Sequence, residues 1–102
     1  MEIPKRFKIG AHEHIVHFRQ KIRKGRTNGR SWLGLKVIEL ARENFNGVRT
    51  HYDIQQTFWH EVVHSILGDM GHALNRDEDF VDALADRLNQ IVETAEFDDG
   101  PT

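Results

Sequence analysis

The chain predicts a single α+β domain over residues 1–102, a small and mostly antiparallel sheet packed on two antiparallel helices. Three observations carry this. Short alternating segments with turn signals fill the first half, two amphipathic helical patterns fill the second, and 102 residues suffice for one modest core.

Phe7-Lys8-Ile9 and His14-Ile15-Val16-His17-Phe18 read as two strands separated by Gly10-Ala11-His12, an irregular hairpin. A basic loop with an Asn28-Gly29 turn signal follows. Trp32-Leu33-Gly34-Leu35 and Val37-Ile38-Glu39-Leu40 then supply one or two more strands, the latter a candidate edge strand. Thr50, with Asp53 three residues on, marks a helix start. From there Ile54, Phe58, Trp59, Val62, Val63, Ile66 and Leu67 fill an arc of roughly 220°, so the helix is largely buried up to a stop near Gly68 or Gly71. Its remaining arc holds Asp53, Thr57, His60, Glu61, His64 and Gly68. A second helix runs from about Asp77 to Glu96, with Phe80, Val81, Leu84, Ala85, Leu88, Ile91, Val92 and Ala95 as its core stripe. The short connector makes the helices antiparallel neighbours, so acids early in the second face the last turns of the first.

Composition narrows the chemistry. There is no cysteine, so a metal would be held by histidine and carboxylate, and a reducing compartment is consistent. No leader-like apolar run follows Met1 and no stretch approaches a membrane span, which reads as a soluble, cytoplasmic protein without a membrane partner. Net charge is −2 but bipolar: residues 1–36 hold ten Lys/Arg against Glu2 and Glu13, and the rest holds four against fourteen acids. The run from Lys21 to Arg30 lacks interleaved aromatics and reads as a solvated loop rather than a nucleic-acid site.

The most specific chemical signal is His60-Glu61-Val62-Val63-His64. Residues four apart on a helix stand ~40° apart around the axis and one turn along it, so both imidazoles can reach one ion. Glu61 points about 100° round from His60, toward the place of an activated water, where it can act as general base. With seven histidines and eight glutamates, chance would produce roughly 0.04 such windows, so the motif gains its weight from its surroundings. A catalytic zinc site usually takes three protein ligands and leaves a fourth place to water. His72 comes eight residues after His64, whereas the metzincin pattern puts its third histidine six residues after, where Met70 stands. Glu78 and Asp82 are one turn apart on the flank of the second helix.

Together His60-Glu61-x-x-His64 and Glu78-x-x-x-Asp82 resemble the gluzincins, the thermolysin-like metallopeptidases. The second helix is also similar to that of small metallopeptidases related to phage-repressor-cleaving and radiation-response proteases. Their pattern reads Glu-x-x-Ala-Asn-x-Phe-Ala, and Glu78, Val81, Asp82, Leu84 and Ala85 take those places, with Val for Ala, Asp for Asn and Leu for Phe. The resemblance covers about residues 55–90. It implies a zincin-like fold, with zinc held by His60, His64 and Glu78, Glu61 as catalytic base and Asp82 orienting a metal histidine. The expected activity is zinc-dependent metalloendopeptidase hydrolysis of a protein or peptide substrate.

The plainer alternatives are core-edge histidines for the pair, a first-turn acid for Glu78 and a solvated charge for Asp82. His12, His14, His17, His51 and His72 read as surface or edge residues, and Tyr52 as packing. At the level of function, the alternative is a metal-stabilised binding or regulatory module with a structural or vestigial site.

Overall fold

The computed structural model describes residues 1–98. Strands β1 (Arg6–Ile9), β2 (His12–Arg19), β3 (Gly29–Trp32) and β4 (Val37–Ala41) form one mixed sheet in the order β1-β2-β4-β3. Helices α1 (His51–Asp69) and α2 (Glu78–Thr94) follow. The result is the α+β domain expected, with one difference. The central β2–β4 pair is parallel, while β1–β2 and β3–β4 are antiparallel. The cause is topological: the chain leaves β2, forms β3 at the far edge, and returns β4 into the gap.

That insertion corrects the expected edge strand. Val37–Ala41 lies in the sheet interior, with Ile38, Leu40 and Ala41 fully buried, and β3 is the edge. β3 also starts three residues earlier than expected. Arg30 hid it, because a cation within a basic run reads as loop, yet here its Nε donates to the buried Glu39 on the neighbouring strand. The β1–β2 turn is tighter than expected, since His12 already pairs with Ile9 and only Gly10, at φ 57°, and Ala11 make the bend. His14 is a core residue and not an edge one: it is 2% exposed and stacks on Phe7 at 5.3 Å. A small hairpin of β5 (Glu43–Asn44) and β6 (Gly47–Val48) was not anticipated.

Thr50 caps α1, its hydroxyl accepting the Asp53 N–H at 3.1 Å, and Gly71, at φ 63°, turns the chain after the helix. One flank of α1 packs Ile54, Phe58 and Val62 against Val16, Ile38 and Leu40 of the sheet. Another packs Val63 and Leu67 against Val81 and Ala85 of α2. Burial on two sides leaves a single polar strip, and Tyr52, expected to pack, is half exposed near the start of the helix.

Asp77 caps α2 by accepting the Phe80 N–H at 3.0 Å. The stripe of α2 differs from the expected one. Leu84 and Ile91 are exposed, whereas Asn89 is fully buried and joins Gln55 and Gln56 of α1. The helices run antiparallel, so Asn89 meets the start of α1 and Glu78 meets its second half. Among the described residues no helix is long and apolar enough to cross a membrane.

Candidate metal centre

Each candidate side chain reaches the centre for a local reason. His60 and His64 lie one turn apart on the polar strip of α1, with ring centroids 4.9 Å apart. Glu78 is the first residue of α2, set there by the Asp77 cap, and Asp82 follows one turn later. The antiparallel helix packing then brings the pairs together. Glu78 Oε2 stands 3.2 Å from His60 Nε2 and its Oε1 stands 3.0 Å from His64 Nε2. Ligand atoms at ~2.0 to 2.2 Å from one tetrahedral zinc lie roughly 3.3 Å from each other, so these separations suit a shared ion.

The opposite nitrogens sharpen the fit. His60 Nδ1 lies 2.7 Å from Asp82 Oδ1, and His64 Nδ1 lies 2.8 Å from Asn75 Oδ1. Both acceptors suit a ring hydrogen on Nδ1, so that in the neutral form a metal ligand requires, each Nε2 lone pair would face the Glu78 carboxylate. Two lone pairs and an anion converging with no hydrogen among them would repel. A cation at their centre removes that repulsion. Donors of this kind, two imidazoles and one carboxylate, suit zinc, and His60, His64 and Glu78 offer atoms within 4.8 Å of one another.

Glu61 is placed differently. It is 6% exposed and accepts a hydrogen bond at its Oε1 from the Ser31 hydroxyl of β3, at 2.8 Å. Burial pushes its carboxyl above the ordinary glutamate range, against the Ser31 hydroxyl, His60 and His64, which favour the ionised form. A carboxylate of raised pKa is the better general base near neutral pH.

The strand that carries Ser31 is fixed tightly to α1. A Cβ on Gly29 would stand 2.5 Å from Thr57 Cγ2 and 3.4 Å from Glu61 Cγ, so only glycine admits this approach. Beyond Ser31, Leu33 packs over Gly68. Two adjoining clefts open beside the histidines. One, of about 320 Å³, is lined by Asn28, Gly29, Gln56, Thr57, His60, Glu61 and Asp82. The other, of about 330 Å³, includes Ser31, Leu33, His64, Asn75 and Glu78.

All five residues singled out from the sequence are thus brought to one place. Asn75 and Ser31 were missed. Asn75 lies in the 3-10 turn Ala73–Arg76, and its only sequence signal is a polar side chain shortly before Glu78. Ser31 would have followed from alternation along β3, had Arg30 been assigned to a strand. His72 lies outside the centre, its Nδ1 accepting the Leu74 N–H.

Comparison of the chain with family models, curated proteins and solved structures gave no match.

Proposed function

We propose that the protein is a small zinc-dependent metalloendopeptidase of zincin-like architecture, with His60, His64 and Glu78 holding the ion. The observation that carries this reading is the convergence of two oriented Nε2 atoms on the Glu78 carboxylate beside a buried glutamate. A zinc ion there would supply a Lewis acid that acidifies water and polarises a carbonyl. Glu61 takes the proton as water oxygen attacks the carbonyl carbon of a peptide, and returns it to the departing nitrogen as the C–N bond breaks. Ser31 holds Oε1, leaving Oε2 for that proton. Asp82 and Asn75 keep the two rings in the ligating tautomer.

The substrate would lie along β3, in place of the strand expected from sequence. Asn28 C=O accepts from the Ala41 N–H, so by antiparallel alternation Arg30 and Trp32 also turn their backbone groups toward β4. Gly29 and Ser31 then direct theirs to the open edge beside the clefts, where an extended peptide can pair with them. A chain without cysteine is compatible with a reducing, cytoplasmic setting.

The rival reading is a binding module stabilised by a structural ion. Structural zinc is closed by four protein ligands. Among the described residues the converging group has three, and Asp82 is engaged by the far side of His60. The test is Glu61→Gln, loaded with zinc and assayed on unfolded casein. Cleavage should fall by about 10²- to 10⁴-fold with zinc affinity retained. Equal cleavage by the variant would end the reading.

A further inference from the structure

The loop between β2 and β3 carries four cations, Lys21, Arg23, Lys24 and Arg26, all exposed and none in an ion pair among the described residues. It is not a slack surface loop. Ile22 is 2% exposed and bridges to Thr27 across the base. The Gly25 carbonyl accepts the Phe45 N–H at 3.1 Å, and a Cβ on Gly25 would meet that nitrogen at 2.8 Å, so the loop interlocks with the β5–β6 hairpin. Phe45, 75% exposed, and Val48, 85% exposed, belong to the same hairpin.

The backbone adds an independent observation. Arg23 and Lys24 both adopt left-handed φ, 50° and 57°. Glycine takes that conformation without penalty, whereas side chains with a Cβ raise its free energy. Two consecutive strained positions are thus occupied by cations where glycine would be easier, and such strain points to a use for the side chains.

We propose that this loop and hairpin dock an acidic, partly apolar polypeptide segment, which the β3 edge then carries into the metal cleft. The place of the segment within a substrate rests on the peptidase reading, but the docking itself does not. Charge complementarity selects an anionic partner, and Phe45 and Val48 suit apolar residues between its acids. Continuity selects a polypeptide: Asn28 and Gly29 follow the loop directly and line the cleft shared with His60 and Glu61. Asp82 lines the same cleft. A nucleic acid, charged along its whole length, would carry phosphates up to that carboxylate, whereas a peptide can confine its acids to one end.

Fluorescence anisotropy with zinc-free protein tests this without cleavage. The probes are a labelled peptide of alternating Glu and Phe-spaced Ser residues, the same peptide with Gln for Glu, and an oligothymidine of equal charge. The Glu peptide should bind best and weaken with salt. Arg23→Gln/Lys24→Gln/Arg26→Gln should lose at least about tenfold. Arg23→Gly/Lys24→Gly should lose binding while its thermal midpoint rises, since the strain is relieved. Arg87→Gln, which removes an exposed cation of α2 instead of one in the loop, should bind as wild type. Equal binding of the Gln peptide, no loss in either loop variant, or tighter binding of oligothymidine would each overturn the proposal. If the Glu peptide binds as described and casein is never cleaved, the docking surface stands and the peptidase reading falls.

Discussion

At the start of α1, Gln55 and Gln56 meet Asn89 of α2 in a buried cluster where amide donors face amide acceptors. Farther along the same pair of helices, His60 and His64 meet Glu78 and Asp82. Packing geometry and helix register are common to both ends, yet the polar chemistry is opposite. In the first cluster donors and acceptors pair off: Gln55 donates to Asn89 and to the Glu93 carboxylate and accepts from the Met1 ammonium, and Asn89 donates to Gln56. At the second end the outer nitrogens are satisfied while the inner lone pairs all point at a carboxylate. A polar cluster whose donors and acceptors pair off serves the fold; one whose acceptors converge on a single point could hold an ion.

Removing a converging group should give the largest effect. Glu78→Ala is expected to weaken zinc binding by more than about 100-fold, beyond what the loss of an outer partner does, with little change in the zinc-free thermal midpoint because Glu78 is 65% exposed. Competition titration against a chromogenic chelator measures it. Unchanged affinity would place the ion elsewhere. Removing an outer partner should do less: Asp82→Ala and Asn75→Ala should each cost about 10- to 100-fold in zinc affinity, by freeing the ring of His60 or His64. An Asp82→Ala protein that lost zinc more completely than Glu78→Ala would exchange the two roles.

The closed end should respond in stability alone. Asn89→Leu strands the Gln56 carbonyl and removes one of the two acceptors of Gln55 Nε2, and is expected to cost about 1–3 kcal/mol in urea unfolding, with zinc affinity unchanged. Parallel loss of zinc binding would show that the two ends are one unit. The smallest effect concerns Glu39, a second closed cluster. Burial alone would raise its carboxyl, but Trp32, Arg30 and Arg19 donate to it and together hold it at about 2, from 4.5. A depressed carboxylate contributes stability above its unfolded pKa and loses it as pH falls toward the folded one. Glu39→Gln should therefore be less stable than wild type at neutral pH, and the gap should narrow between about pH 4.5 and 2. A gap of constant size across that range would deny the ion pairs their role.

The comparison also explains what was legible in the sequence. His60, His64, Glu78 and Asp82 follow helical spacing, and two capped helices with a short connector leave few ways to pack, so their meeting could be foreseen. Asn75 could not be, because its aim depends on a turn of 3-10 geometry. The strand half was less legible still. Glu39 neutralises Arg30 and Arg19 from an adjacent strand, a pairing visible only once the register is known, and without it β3 looked like loop. His14 followed the same logic: alternation with Val16 places it inward, but a histidine suggests surface. The amide cluster was hidden because Asn89, four residues after Ala85 and so beside the apolar stripe, is polar and was not counted with it.

The distribution of these groups along the chain has a kinetic meaning. His60, His64, Asn75, Glu78 and Asp82 all fall within one helical hairpin, whose contacts are near in sequence. Ser31 is 30 residues from Glu61 and arrives only when β3 has taken the sheet edge. Short-range helical contacts form faster than strand pairings that must close long loops, and the parallel β2–β4 pair is of the slow kind. On the proposed reading, the expected order is the histidine and Glu78 group first and a clamped Glu61 second, so that during folding the chain would pass through a species able to hold an ion and not yet able to use it. Stopped-flow refolding in which zinc uptake lagged behind burial of Glu61 would reverse that order.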